Sequence, residues 1–501
     1  MITRLNLTRV HAGILAGLAL LAPACTVGPK YQRPTALVPP AFKEPPPAGW
    51  KAAQPQDSVL KGKWWEIFND PQLNALEEQV NVSNQNIAQA EANFRNARAA
   101  IMVARAARYP TVTGGTSATA SRQSSNRSFA GRGFAIATVE DYQLPLSVSY
   151  EVDIWGRIRR TIEASVENAQ ATAADLETAR LLMTSELASD YFQMRGLDSE
   201  KQLLDSTVVA YEKALQLTND RFLQGIVSRV DVAQAQTQLE TTRSQSTDTR
   251  VQRAQFEHAL AVLTGKPPAQ LTISPAPIPA QLPQIPVALP SELLERRPDI
   301  AADERRVAAA NAQIGIAEAA YYPTITLSAS AGLESSRFLD WFTWPSRFWS
   351  AGSSLSQTLF EKGRRRGLVD EAVAAHDAAV ATYRQSVLQA FQDIEDNLAA
   401  LSILEEESKQ QDAAVKAAED SLNLAVVRYK GGIANYLEVI TAQGAALADE
   451  RAAVQLQTRR MTAAVLLVKG LGGGWNASQL PADKDLIAKQ PVAPAQPAKT
   501  P

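Results

Sequence analysis

Two hydrophobic periods alternate along this chain. From residue 367 to 430 the seam positions Val369, Val373, His376, Val380, Tyr383 and Val387 step by four and three. The seam continues through Ala390, Ile394, Leu398 and Leu401 with one stutter, and resumes at Val415. This is the heptad spacing of a helix packed lengthwise against others. No proline and no further glycine interrupts it, so the segment predicts one helix of about 95 Å at about 1.5 Å per residue. Residues 157–224 repeat the pattern, interrupted only by Gly196. Helices of that length do not fit a compact globular domain, so an elongated coiled coil is expected. Elsewhere the period is two. In 144–154, Leu144, Leu146, Val148, Tyr150, Val152 and Ile154 fall on one face, with Pro145, Ser147, Ser149, Glu151 and Asp153 opposite. In 324–333, Ile325, Leu327 and Ala329 oppose Thr324, Thr326 and Ser328. Residues 111–120 and 353–360 alternate less cleanly and are read as two further strands.

The chain is written twice. "RFLQGIVSRVDVAQAQ" (221–236) answers "RYKGGIANYLEVITAQ" (428–443) at an offset of 207 (428 − 221), and "YEVDIWGRIRR" (150–160) answers "QTLFEKGRRRG" (357–367) at the same offset. "ARAARYPTVT" (104–113) answers "AEAAYYPTIT" (317–326) at 213 (323 − 110). Each copy, 64–264 and 291–470, reads helix, strand, loop, strand, long helix, turn, helix. The join, 265–290, is too proline-rich for a helix, and 471–501 is read as a disordered tail. The first matched pair explains itself as a turn. Gly225 and Gly432 permit a left-handed helix stop. Ser228 with Asp231, and Asn435 with Glu438, have the spacing of capping boxes that restart a helix. Two antiparallel hairpins result, with Gly225-Ile226 and Gly432-Ile433 at their tips, both pointing away from the strands.

Composition narrows the class. Of 501 residues, 50 are basic and 52 acidic, so no nucleic-acid-binding surface is implied. The N-terminus reads as an export signal (1–24), with Arg4 and Arg9 before the apolar "AGILAGLALLA". The only cysteine, Cys25, follows at once in "LAPAC", which resembles a bacterial lipoprotein acceptor. The alternative is ordinary cleavage that leaves a free terminal thiol. A proline-rich, extended segment (25–63) follows. No later apolar run reaches 18 residues, so any crossing of a membrane is by strands. His11, His258 and His376 are scattered, and no nucleophile–base pair, metal-ligand spacing or nucleotide loop is present. An enzyme is therefore not expected, nor any metal site, nor a cofactor beyond a covalent lipid at Cys25.

Four strands leave two unpaired edges, which a bilayer does not tolerate. If they cross a membrane, several chains must pool them in a ring. At this point "CTVGPKYQRP", "WWEIFNDPQLNALE" (64–77), "YEVDIWGRIRR", "LERRPDIAADERRVAAANAQIGIAEAAYYPTITLSAS" (294–330) and the two tips carry a resemblance. Together they resemble the outer membrane factor family, the TolC/OprM-like lipoprotein channels of RND efflux systems (the NodT branch). The resemblance implies a mainly α fold with a β-barrel section. It implies a homotrimer whose twelve strands form one outer-membrane barrel and whose helices continue as a periplasmic tunnel. It implies a periplasmic adaptor and an inner-membrane RND-type pump as partners, with adaptor contact at the tip residues Gly225, Ile226, Gly432 and Ile433. It places Leu437, Glu438 and Thr441 near the tunnel's constriction, although Glu438 would be acidic as a cap in any case.

The function expected is a passive exit duct for drugs or other toxic small molecules, with metal-ion efflux as the second reading. A soluble periplasmic coiled-coil scaffold or adaptor is the competing class. The aromatic run "RFLDWFTWPSRFW" (337–349) fits an interfacial belt, or else a plug over the mouth. Lipidation at Cys25 is testable directly. Intact-mass analysis of the mature protein should show residue 25 as the N-terminus carrying acyl chains, and an unmodified Cys25 there would refute the anchor.

Overall fold

The computed structural model describes residues 26–44, 62–122, 124, 138–285 and 290–487. Cys25 and the C-terminal "QPVAPAQPAKTP" lie outside the described residues, as does most of the loop between the first copy's strands.

Side-chain caps set the first helices. The Asp70 carboxylate accepts from the backbone N–H groups of Gln72 and Leu73 and starts α1 (Pro71–Ser83), with proline at the first position, where it costs no hydrogen bond. Asn84 accepts from Asn86 and Ile87 and starts α2 (Gln85–Ala106). The chain then forms β1 (Thr111–Gly114), β2 (Ser117–Ser121), β3 (Val139–Glu151), α3 (Arg157–Leu223) and α4 (Arg229–Leu263). The second copy supplies α5 (Pro298–Ala319), β4 (Thr324–Ser335), β5 (Arg347–Ser356), α6 (Arg364–Lys430) and α7 (Tyr436–Gly470). The long helices match in length, 67 residues for α3 and α6 and 35 for α4 and α7. No helix among the described residues is long and apolar enough to cross a membrane.

The sheet is antiparallel, in the order β1, β3, β4, β5, with β2 also on β3. The strand expected over 324–333 extends only to Ser335, and the other three strands depart further from the sequence reading. The strand expected over 111–120 is two short strands in one register, Gly114 opposite Leu146 and Ser117 opposite Gln143. The gap faces Pro145, which has no N–H to return. The strand expected over 144–154 starts earlier and stops at Glu151, because Asp153 turns to accept from the N–H groups of Ile158 and Arg159 and starts α3. The strand expected over 353–360 is β5, which begins at Arg347. Residues 357–360 leave the sheet, and the Gln357 amide donates to the Tyr321 carbonyl.

The main core lies midway along the long helices. Trp64, Leu73, Leu187 and Phe192 meet Val387, Ile394, Leu398, Val465 and Val468 there. The linker is pinned to this waist: buried Arg195 donates to Asp198 (3.1 Å) and to the Ser274 carbonyl (2.8 Å), and Arg253 donates to the same Asp198 (2.6 Å). The seam of α6 is buried from Tyr383 to Leu401, but Val373, nearer the sheet, is exposed in a single copy. The tail reading needs correction for 471–487. Trp475 packs on Ala174, Ala301 and Ala302, and Leu486, on α8 (Asp483–Ile487), packs on Ile101, Ile158 and Ile162. A glycine-rich exit concealed two apolar anchors. At the other end, residues 26–44 form a strap. The Arg160 guanidinium donates to the carbonyls of Val27, Gly28 and Pro29, and the N–H groups of Lys43 and Glu44 donate to the Glu395 carboxylate.

The duplication reaches individual contacts. The Asn84 amide donates to the carbonyl of Leu263, the last residue of α4, and Arg297 donates to that of Gly470, the last residue of α7. Just past these helices Gly265 and Gly472 have φ of +72° and +89°, and a Cβ on either would overlap the carbonyl oxygen of Ser83 or Arg296. At Gly225 and Gly432 φ is also positive, but among the described residues nothing lies within 4 Å of such a Cβ. Alanine at Gly225 or Gly432 should therefore cost only the left-handed backbone penalty, about 1–2 kcal/mol. Gly265→Ala and Gly472→Ala should cost clearly more and lower the unfolding temperature further. Equal losses at all four positions would contradict the close approach.

Candidate functional site

The features that suit a conduit lie at its two ends, the sheet and the hairpin tips. In the sheet, register aligns the faces of neighbouring strands. Leu144 opposes Leu333, Val148 opposes Ala329, and Tyr150 opposes Leu327 on one side. Ser147 opposes Ser330 and Ser149 opposes Ser328 on the other, with a side-chain hydrogen bond of 3.2 Å between Ser147 and Ser330. The outer strands keep the division except at Ser353, opposite Leu327, Phe348, opposite Gly332, and Arg347, opposite Leu333. Val112, Trp349 and Leu355 join the apolar face, and Thr111, Thr113, Ser350 and Ser354 join the hydroxyl face. From Ile325 to Leu333 the apolar face runs about 26 Å along the strand, which at a barrel's tilt of about 40° reaches about 20 Å, most of the roughly 25 Å apolar band of an outer membrane. The aromatic run divides. Trp349 stands on the apolar face and is 80 % exposed, whereas Trp341 is buried against Tyr142 and Phe338 and donates to the Leu333 carbonyl.

At the far end both turns have one geometry. Gly225 N–H donates to the Phe222 carbonyl and Ile226 N–H to that of Arg221, both at 2.9 Å. Gly432 and Ile433 repeat this with Tyr429 and Arg428 at 3.0 Å. This paired closure satisfies the last carbonyls of a helix and requires the left-handed residue that glycine supplies. Ile226 and Ile433 project from the turns, 57 % and 75 % exposed. The restarts differ. Ser228 and Asp231 form the reciprocal box, each accepting from the other's backbone N–H. Asn435 accepts from Glu438 N–H at 3.2 Å, but the Glu438 carboxylate does not return the bond. It pairs instead with Arg428 at 3.1 Å, which corrects the second capping box to half of one. The structure thus separates the three residues expected near a constriction. Leu437 and Thr441 share an exposed strip, the Thr441 hydroxyl donating to the Leu437 carbonyl at 2.8 Å, while Glu438 is turned to Arg428.

One contact here was missed in the sequence. The Arg221 guanidinium donates to the Tyr429 carbonyl at 2.6 Å and lies 4.5 Å from the centre of its ring. It ties the first hairpin to the second, over a small core of Ala235, Ala425, Tyr429, Tyr436 and Val439. Burial, reinforced by Tyr429, pushes the Tyr436 hydroxyl up to about 12. The repeat did carry a signal. Arg221 and Arg428 occupy the same position in the two copies yet reach in different directions, so the tips are not equivalent. Tyr211 and Arg451 add further ties between hairpins, to the Gln443 carbonyl at 3.2 Å and to Glu200 at 2.6 Å. Among the described residues no group of three or more His, Cys, Asp and Glu is placed to hold a metal ion. Cys25 lies outside the described residues, but the next residue, Thr26, packs at the sheet end of α3. A Cβ on Gly156 would stand 2.9 Å from its methyl group.

Comparisons agree with this geometry. A family model described as outer membrane efflux protein matches residues 76–266 and 289–473. The chain is 32% identical over 463 residues to the outer membrane protein OprJ of Pseudomonas aeruginosa, covering 92% of this chain and 95% of that one. It is 32% identical over 490 residues to the toluene efflux pump outer membrane protein TtgF of Pseudomonas putida, covering 95% and 97%. The solved outer-membrane channel OprN superposes with a TM-score of 0.83 at 32% identity, covering 90% of this chain and all of OprN. With its duplicated strands and hairpins matched along both copies, the chain belongs to the outer membrane efflux protein family.

Proposed function

We propose that this chain is the outer-membrane exit duct of a tripartite efflux system, working as a trimer whose twelve strands close one barrel. The observation that carries the reading is the two-faced sheet whose two edges, β1/β2 and β5, have no strand partner among the described residues of a single copy. An apolar face that covers most of a membrane's apolar band belongs in lipid only if no backbone edge is left open there. Pooling strands between copies closes the edges, turns the hydroxyl face inward and covers the exposed sheet-proximal seam of α6. The soluble scaffold reading leaves those edges and the apolar face without partners. The long helices then continue as a tunnel to the tips, where a periplasmic adaptor joins the duct to an inner-membrane RND-type pump. The chain supplies no energy; it provides a polar path through the membrane. The name of the relative TtgF supports small apolar toxicants as cargo, and metal ions are the other cargo to be tested.

At the tunnel end each residue facing the axis occurs three times. Three Leu437 side chains make an apolar iris, with Thr441 one turn behind. Glu438 acts beside it through Arg428, holding the start of α7 against the end of α6. Opening moves the second hairpin away from the first and loosens the Arg221–Tyr429 tie.

Detergent extraction from outer membranes should yield a particle of three chains. Deleting the gene should sensitise cells to solvents and antibiotics rather than to toxic metal salts. Ile226→Asp combined with Ile433→Asp should keep the trimer but fail to restore resistance. Release of a monomer by osmotic shock would sink the duct reading, and full resistance in the double variant would sink docking at the tips. For the constriction, Leu437→Ala should raise single-channel conductance severalfold. Glu438→Gln, which breaks the pair with Arg428, should lengthen open times and weaken any cation preference. Parent-like conductance and selectivity in both variants would place the constriction elsewhere.

A further inference from the structure

The rim where the strands meet the long helices carries charge that the duct itself does not use. On leaving β5 the chain exposes Leu359 (90 %) and Phe360 (84 %), then runs Lys362, Gly363, Arg364, Arg365, Arg366. Arg365 is engaged by Glu361 and by the Thr358 carbonyl. Lys362 and Arg364 have no carboxylate partner among the described residues. Arg366 reaches only Asp370, at 3.8 Å, with both side chains largely exposed. Below β1, at the opposite edge of the sheet, Arg108 is also exposed and without a carboxylate partner among the described residues, beside exposed Tyr109. The cations between these edges are already engaged: Arg157 pairs with Glu151, Arg159 with Asp153, and Arg160 with Glu163.

This inference rests on the three-copy barrel. Closure sets β5 of one copy beside β1 of the next, so Arg108 of one copy joins the rim that carries Lys362, Arg364 and Arg366 of its neighbour. Uncompensated cations gathered where water gives way to hydrocarbon repel one another more strongly than in bulk water, and an anion relieves them. Leu355 closes the apolar face of the sheet here, and exposed Leu359 and Phe360 follow just beyond the sheet, so the fitting anion also carries hydrocarbon. We propose that each of the three seams seats an anionic phospholipid of the periplasmic leaflet. Its phosphate lies among Lys362, Arg364 and Arg366 of one copy and Arg108 of the next. Its acyl chains lie along Leu355, Leu359 and Phe360 of one copy and Val112 of the next.

The test uses delipidated trimer and two probes with identical acyl chains, phosphatidylglycerol and phosphatidylcholine, with bound lipid counted by native mass spectrometry. The parent should retain up to three phosphatidylglycerol molecules per trimer in preference to phosphatidylcholine. Lys362→Gln with Arg364→Gln and Arg366→Gln should lower that preference by at least about tenfold, with trimer mass and conductance unchanged. Arg108→Gln, on the opposite edge, should lower it independently. A parent trimer without the preference, or a triple variant that keeps it, overturns the seat. A parent that gives no trimer before lipid is added is a separate failure, that of the barrel reading.

Discussion

A backbone N–H or C=O left unpaired in hydrocarbon costs several kcal/mol, and a strand edge presents a row of them. Among the described residues the sheet of this chain ends in such a row on both sides, while its apolar face runs from Ile325 to Leu333 and is matched in register by β3 and, apart from Ser353 and Arg347, by β5. Everything else in the architecture is compatible with resolving that conflict between copies rather than within one. The seam of α6 is buried at the waist and open near the sheet, and exposed apolar side chains such as Val112 and Leu355 stand on the two edge strands. A chain with so little strand and so much helix is half-finished alone.

Duplication explains how one chain builds both ends of a duct. Helices of 67 and 35 residues recur at an unchanged offset, because each copy must span the same distance from the sheet to the tip. The return of each hairpin is fixed by the same device, a side chain at the start of the strand-bound helix donating to the last carbonyl of the returning one. That side chain is Asn84 in the first copy and Arg297 in the second. The copies diverge at the tips. Arg221 crosses to Tyr429, whereas its counterpart Arg428 stays within its own hairpin on Glu438.

Much of this was legible in the sequence. The heptad seam and the absence of proline gave the long helices to within three residues, since nothing local competes with a helix there. The positive-φ glycines and the Ser228–Asp231 box were readable because they are local too. Strand ends were not. Pro145 splits β1 from β2 through a bond missing on the facing strand, and Asp153 ends β3 by capping the following helix. Both effects depend on a residue's partner rather than its neighbours. The Asn435–Glu438 box is half formed for the same reason: the spacing allows the reciprocal bond, but Arg428 on the preceding helix takes the Glu438 carboxylate. The burial of Trp475 and Leu486 depends on α3, α5 and α2, far away in sequence, and the Gly-rich stretch before them concealed it.

The central claim is that the hydroxyl face of the closed sheet meets water and the apolar face meets lipid. Cysteine placed on each face tests it directly, in a Cys25→Ser background reconstituted into planar bilayers. Ser330→Cys should react with a membrane-impermeant thiol reagent and lose conductance as it does, while Ala329→Cys, one residue along the same strand, should stay unmodified. Equal reaction at both positions, or reaction at Ala329→Cys alone, would contradict the account.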